Sequence, residues 1–430
     1  MKHKPFKPDA SQREVASRTA FYLLGSIVQR AAQLLLVPFL VAALSPDEFT
    51  RFGLMISAVT VLTPLFSLNI HMAPGRLYFD YNEPSEQSDL LFSCISGSLC
   101  LTVMGLIVVI GVLRISGVHE PVSNGYLETQ VGIALIIMLT VLWEFGTMTM
   151  RVWGKAAFFT LASIVHSFGI LGAFLSLGPF LQNGFRRGVM AVLFGIGAGG
   201  AVALARVFQF VRHGKLRRTM LSKSVAYTWP MVVHLLALWA VGNSGRWIGT
   251  MYMELEELAA YTLVTLIVMS MTLISRALFQ ALLPDIRRSF AGQEYHRGTR
   301  IIHFAMVGSI MILAAVYVGL YVAVFAWRLP LPAKFSPTPL LLIMAGIANV
   351  CDVLFMRGAW ILTSLKKTGK MALATMFSAA VTIGLSFLLV KALGDLGLVI
   401  AVAGGYGLQA LVSNAAAWWQ LRIAYESKAT

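Results

Sequence analysis

Apolar stretches long enough to cross a bilayer follow one another along almost the whole of this 430-residue chain, and its second half echoes its first. A helix needs about 20 mostly apolar residues to span roughly 30 Å of hydrocarbon, because lipid offers no partner to an unpaired backbone N–H or C=O. Twelve such runs fall near 19–44, 52–76, 90–113, 127–150, 156–178, 188–210, 226–252, 258–283, 301–327, 338–364, 371–393 and 397–420. The runs are continuous and lack the short alternating segments of a transmembrane β-barrel. The expected fold class is an all-α integral membrane protein with twelve transmembrane helices in two six-helix bundles related by pseudo-two-fold symmetry.

The echo between the halves is specific. Glu48-Phe49-Thr50-Arg51-Phe52-Gly53-Leu54 follows the first long apolar run, and Glu257-Leu258-Ala259-Ala260-Tyr261-Thr262-Leu263 follows the first run of the second half. A shift of roughly 210 residues superposes Glu, an apolar residue, an aromatic and a Leu, and about the same shift carries Glu144 onto Asp352. Paired halves with acids at matching depth are the pattern of an alternating-access transporter. The halves divide the chain into a basic amino-terminal tail (1–18), a first bundle (19–210), a basic linker (211–225), a second bundle (226–420) and a tail (421–430). Lys and Arg gather in the tails and in the even-numbered loops, most densely at Arg206, Arg212, Lys215, Arg217, Arg218 and Lys223. By the positive-inside rule both termini are expected in the cytoplasm.

With 57% hydrophobic and 12% charged residues the chain has too little polar surface to coat a soluble globule. The formal charge of +15 is dispersed among loops by topology, which argues against nucleic acid as a partner. Cys94, Cys100 and Cys351 fall in predicted spans without zinc-ligand spacing, so no metal site is expected. There is no phosphate loop, no His-Glu-x-x-His and no Gly-x-Ser-x-Gly, hence no catalytic residue and no bound cofactor. The run Gly195-Ile196-Gly197-Ala198-Gly199-Gly200 lies within a span, where close helix packing explains it better than a nucleotide does, and Gly404-Gly405 are read the same way.

What remains are ionisable groups at depths where lipid penalises them. Arg30, Glu144, Arg246, Asp352 and Arg357 sit well inside apolar runs, where each charge costs about 2.5–3.5 kcal/mol on insertion scales. That cost requires a partner or a wet cavity. The plainest arrangement is mutual pairing, of Asp352 with Arg357 or of Glu144 with Arg30. Arg76 and Arg276 lie nearer helix ends, where snorkelling to headgroups suffices. His71, His166 and His234 also lie in spans; each is a packing residue or a proton relay. Most Trp residues fall toward span ends, whereas Trp239 and Trp360 are deeper and are candidates to line a cavity. Arg30, Arg246, Arg276 and Arg357 outnumber Glu144 and Asp352, which favours a phosphate-bearing substrate over an organic cation. On this reading the four arginines bind substrate, and Glu144, Asp352, His71, His166 and His234 couple ions or gate.

The stretch Leu36-Val37-Pro38-Phe39-Leu40 with Leu44-Ser45-Pro46-Asp47-Glu48-Phe49-Thr50-Arg51-Phe52-Gly53 resembles the first-loop signature of Wzx-type oligosaccharide-lipid flippases. These belong to the multidrug/oligosaccharidyl-lipid/polysaccharide (MOP) exporter superfamily. Arg76-Leu77-Tyr78-Phe79-Asp80 and the region of Arg246 are similar as well, and the layout matches over the whole chain. Two positions depart from the pattern: Thr50 stands where relatives often have Gly, and Gly245 where many have an Asp before the arginine. The resemblance implies a V-shaped pair of six-helix bundles that carries undecaprenyl-pyrophosphate-linked oligosaccharide between leaflets during O-antigen, capsule or exopolysaccharide assembly. It also implies coupling to protons or sodium, bilayer lipid as a partner, and a polysaccharide polymerase or other assembly component nearby. An ion-coupled drug or metabolite antiporter of the same superfamily is the alternative. A membrane glycosyltransferase fits less well, for want of a large outside loop and an acidic cluster.

Overall fold

The computed structural model describes residues 21, 24, 25, 28, 35–115, 126–282, 285–286, 289–290, 292–327, 335–365 and 367–429. Every regular element among them is helical. A first helical stretch, α1 (35–43), leads to α2 (Pro46–Ser67), α3 (Pro84–Ile115), α4 (Tyr126–Val152), α5 (Ala156–Ser176), α6 (Gly184–Val211), α7 (Arg218–Gly249), α8 (Ala259–Ala281), α9 (Tyr295–Tyr321) and α10 (Pro339–Ser364). The last segment, Thr368–Ala429, is broken at Gly394 (φ 58°) into α11 (368–393) and α12 (395–429). Among the described residues, each of the twelve expected spans contains helix. The amino-terminal tail and Arg30 lie outside the described residues.

Local chemistry sets the helix ends. Ser45 and Glu48 form a capping box at the start of α2: Ser45 Oγ accepts the Glu48 N–H at 3.2 Å, and a Glu48 carboxylate oxygen accepts the Ser45 N–H at 3.0 Å. Pro46 supplies the first helical residue, where a missing N–H costs nothing. The matching glutamate of the second half does the same work, since Glu257 accepts the Glu254 N–H at 3.1 Å just ahead of α8. Thr338 caps α10 through the Leu341 N–H, with Pro339 following.

Three expected boundaries are corrected. The second helix was expected over 52–76, but it begins earlier, at the capping box, and ends at Ser67. Leu68 (φ 47°) and Asn69 (φ 55°) both adopt the left-handed conformation, and short turns at Ile70–Met72, Pro74–Leu77 and Tyr78–Asp80 follow. Apolar composition continues through that break, so hydropathy does not register it. Much of the linker expected at 211–225 is helical, because α7 starts at Arg218, and α12 continues through most of the expected tail to Ala429. In both cases the helix continues into polar residues beyond the apolar run.

The chain forms two compact units that do not follow its halves. Unit 1 comprises 1–32, 66–178 and 190–228; unit 2 comprises 33–65, 179–189 and 229–430. Most of α2 therefore packs with the second half of the chain.

In unit 1, α3 is tied to the loop before α7. Asp89 accepts the Lys215 N–H at 2.6 Å and pairs with Arg217 Nε at 2.5 Å, while Ser93 Oγ accepts the Arg217 N–H at 2.9 Å. The basic stretch after α6 is thus a clamped corner. The glycines of α6 work as expected: a Cβ at Gly195 would meet the His166 carbonyl and the Ile170 amide, both at 2.7 Å, and one at Gly199 would meet His166 Cβ at 2.6 Å. These two glycines, four apart, let the α6 backbone lie against α5.

In unit 2, an apolar core joins α8, α9, α10 and α12 through Phe279, Ile302, Leu313, Val353, Phe355 and Ala417. A Cβ at Gly405 on α12 would run into the Thr382 hydroxyl of α11.

Gly195→Ala is expected to lower the thermal unfolding midpoint, since rigid backbone must move to admit the methyl group at a cost of about 1–3 kcal/mol. Gly200→Ala, whose Cβ meets nothing within 4 Å, is expected to hold or raise it. Equal midpoints for the two variants would contradict the close α5–α6 approach.

Candidate functional site

Each unit carries one constellation of polar groups inside apolar helices. In unit 2 the largest enclosed side chain is Arg246 of α7, only 1% exposed. Its Nε and Nη2 donate to Thr265 Oγ1 of α8 at 2.9 and 2.7 Å, and Nη1 donates to the Gly53 carbonyl of α2 and to Asn243 Oδ1, both at 3.4 Å. All the oxygen acceptors are neutral, and no carboxylate among the described residues pairs with it. A guanidinium held this way keeps its charge at a large desolvation cost, offset only by dipoles.

The signature residues in the first turns of α2 serve this arrangement. A Cβ at Gly53 would collide with the Thr262 side chain, so glycine lets the α2 backbone come close enough to offer its carbonyl to Arg246. Phe49 meets Phe335 edge to face at 5.2 Å, and Phe52 packs where a Gly188 Cβ would go. The space a side chain would fill at Gly245 is occupied by the Tyr261 hydroxyl, which itself finds no hydrogen-bond partner. The Gly245 departure thus has a structural counterpart: Tyr261 of α8 takes the place beside Arg246.

About three turns beyond Thr265 along α8, Arg276 forms a charge pair of unit 2 with Asp352. Asp352 of α10 is enclosed, with a side chain 1% exposed, and its nearest cation is Arg276 at 3.7 Å, 35% exposed. Among the described residues neither Asp352 oxygen has a partner at full hydrogen-bond geometry, although Thr272 and Arg276 both lie close enough to act on the carboxylate. Asn349, one turn before it, accepts from Thr272 Oγ1 at 3.2 Å and donates to the Tyr317 hydroxyl at 2.7 Å. His234 lies in electrostatic reach of Arg276, and Tyr406 of both Arg276 and Asp352. Arg357 does not pair with Asp352, correcting the simplest expectation; it donates to Asn414 Oδ1 of α12 at 2.6 Å. One turn and a half separates Asp352 from Arg357 along α10, which turns the two side chains to different faces.

In unit 1 the left-handed break after α2 aims His71 at α4, where its Nε2 lies 2.6 Å from Glu144 Oε2. The imidazole is fully enclosed and the carboxylate is 41% exposed. The partner of Glu144 is therefore a histidine, and Arg30, expected to pair with it, lies outside the described residues. His166 stacks on Trp143 with ring centroids 4.7 Å apart. Arg76 is exposed and held by Asp80 at 2.6 Å, which raises its pKa above the ordinary arginine value.

The two acid–base pairs correspond. Moving from position 71 to 276 and from 144 to 352 is nearly the same shift along the chain, so His71–Glu144 and Arg276–Asp352 occupy equivalent places in the two halves. The unit 1 pair is open on its acid side, whereas the unit 2 acid is closed off. Sequence reasoning named all four residues but offered Arg30 and Arg357 as the partners of Glu144 and Asp352. It missed Asn243, Thr265, Thr272, Asn349 and Asn414, the neutral groups that satisfy the charges. A usable signal existed for three of them, because Asn243, Thr272 and Asn349 lie three or four positions from Arg246, Arg276 and Asp352. Trp239 and Trp360 are packing residues here: Trp239 donates to the Ser57 carbonyl at 2.8 Å and Trp360 stacks on Phe279 at 6.3 Å.

Solved structures share this fold. The eukaryotic MATE transporter AtDTX14 matches with a TM-score of 0.68 at 13% identity, over 96% of this chain and 99% of its own. An inward-facing multidrug resistance MATE family transporter of the MOP superfamily gives 0.63 at 14% identity, over 96% of both chains. The Vibrio cholerae MATE transporter VcmN, in its bent form, gives 0.61 at 15% identity, over 96% of this chain and 99% of its own. No family model matches the chain, and no curated protein matches it. The chain has the all-helical, twelve-span, two-lobe fold of the MATE transporters, as the expected fold class required.

Arg276→Gln is expected to lower the thermal midpoint more than the Asp352→Asn/Arg276→Gln double variant does. The single change strands a buried carboxylate, and breaking one side of a buried pair costs about 3–5 kcal/mol. A double variant no more stable than Arg276→Gln would show that the two groups are not coupled.

Proposed function

We propose that the protein is a transporter that moves a lipid-linked, pyrophosphate-bearing oligosaccharide across a bacterial inner membrane by alternating access. The observation that carries this reading is the recurrence, at nearly matching positions of both halves, of an acid–base pair with one enclosed member. A bistable membrane protein needs ionisable groups whose partners can exchange between states, and such groups persist in apolar helices only against a substantial penalty. Protonation of Glu144 or Asp352, or sodium bound in their place, would weaken the contact to His71 or Arg276 and favour rearrangement. No bond is made or broken and no cofactor is needed.

The cargo follows from charge. Among the described residues Arg246 and Arg357 have only uncharged hydrogen-bond partners, so a pyrophosphate could engage either once the packing of α2, α7 and α8 or of α10 and α12 loosens. The first-loop resemblance points the same way. A polyprenyl tail would remain in lipid, and an assembly component such as a polymerase would receive the product.

A second reading, exchange of an organic cation for sodium or protons, is favoured by the fold neighbours and by the enclosed acid Asp352. Proteoliposomes separate the two. Labelled lipid-linked oligosaccharide is expected to cross, and Arg246→Ala, Glu144→Gln or Asp352→Asn to slow it by about tenfold or more, the effect of about 1.4 kcal/mol in barrier height. Ion-driven uptake of a fluorescent organic cation, with lipid-linked oligosaccharide inert, would replace the first reading by the second.

A further inference from the structure

A cavity of about 480 Å³ opens in unit 1, lined by Met150, Trp153, Lys155, Phe158, Arg206, Gln209 and Phe210. None of these residues takes part in the polar constellations above. The cavity lies where α4 ends, α5 begins and α6 approaches its end, so its depth is that of the headgroup region beside the apolar spans. The basic loops mark this end of the helices as the side expected to face the cytoplasm.

The residues are held in place by backbone design. At the end of α4, Gly154 adopts φ 67°, the Lys155 N–H donates to the Met150 carbonyl at 2.9 Å and the Gly154 N–H to the Arg151 carbonyl at 3.1 Å. That pair of bonds is a Schellman turn, which glycine makes accessible. It sets Lys155 at the cavity wall directly ahead of α5, whose unsatisfied first-turn N–H groups add a positive pole. Across the cavity the Arg206 guanidinium lies 4.9 Å from the Phe158 ring centre, which orients it. Trp153 is fixed by donating to the Tyr78 hydroxyl at 3.1 Å. No carboxylate among the described residues pairs with Lys155 or Arg206.

An arginine oriented by an aromatic ring, a lysine lining the same cavity, an amide and four apolar or aromatic side chains make an amphiphilic anion receptor. We propose that this cavity binds a phosphate group at the membrane surface, as carried by the headgroup of an anionic phospholipid. The apolar walls receive the glycerol and upper acyl carbons, Lys155 and Arg206 take the phosphate oxygens, and Gln209 donates to the headgroup. A zwitterionic lipid places its own cation against the same residues and is disfavoured. The site is independent of the cargo and of the transport reading, and its test needs no transport.

The experiment uses the full chain in detergent. Phosphatidylglycerol, phosphatidylcholine or inorganic phosphate is titrated while the thermal midpoint is followed and retained lipid is counted by native mass spectrometry. Phosphatidylglycerol is expected to raise the midpoint and stay bound, and phosphatidylcholine to do neither. Lys155→Gln and Arg206→Gln are each expected to weaken retention about fivefold, whereas Lys155→Arg and the distant Lys367→Gln/Lys370→Gln control retain it. A midpoint rise from inorganic phosphate in the wild type, lost in Arg206→Gln, would support the site with a soluble ligand as its source. Equal retention of the two lipids, or unchanged phosphatidylglycerol binding in Lys155→Gln and Arg206→Gln, would overturn the proposal. Lys155 is on an exposed loop, so its variant keeps the test decisive should the Arg206 change impair folding.

Discussion

The cost of placing a charge inside an apolar helix governs this molecule. Lipid supplies neither water nor counter-ions, so every ionisable side chain at depth must be answered by another part of the protein. Arg246 is answered by a hydroxyl, an amide and a main-chain carbonyl from three helices, and Asp352 by Arg276 at 3.7 Å. Each answer binds elements that lie far apart in sequence. The packing of α2 with α7 and α8 follows from it, as does the glycine at position 53 that permits the approach.

The two acid–base pairs share a plan and differ in environment. His71–Glu144 has an enclosed imidazole and a carboxylate that is 41% exposed. Arg276–Asp352 has its acid closed off, and a change of charge there must be accompanied by movement of the surrounding helices. The two pairs thus stand at nearly the same shift along the chain but differ in exposure. The neutral groups around Asp352, namely Asn349, Thr272 and Tyr317, lower the penalty without removing the charge.

The stretch that most resembles a family signature is largely a set of helix-building devices. Ser45, Pro46 and Glu48 start α2, Phe49 and Phe52 dock it, and Gly53 hands its carbonyl to Arg246. Glu257 repeats the capping role in the second half, so the internal echo first visible as letters is an echo of local hydrogen bonding. These functions were legible in outline, because capping acts over three or four residues. Pairing was not. Nothing along the chain distinguishes Arg357 from Arg276 as the partner of Asp352; that depends on which face of α10 meets α8 and which meets α12.

The amino-acid sequence by itself determined the helical class, the number and order of the spans, the duplication and the identities of the charged residues at depth. All of these rest on composition and on interactions within a few turns, where hydrophobic length and backbone satisfaction leave one outcome. Only the tertiary structure decided that α2 packs with the second half of the chain, that His71 answers Glu144, and that Lys155 and Arg206 face one cavity. These depend on small angular choices, such as the left-handed pair Leu68–Asn69 and the turn at Gly154. Such choices leave hydropathy unchanged but redirect every side chain that follows.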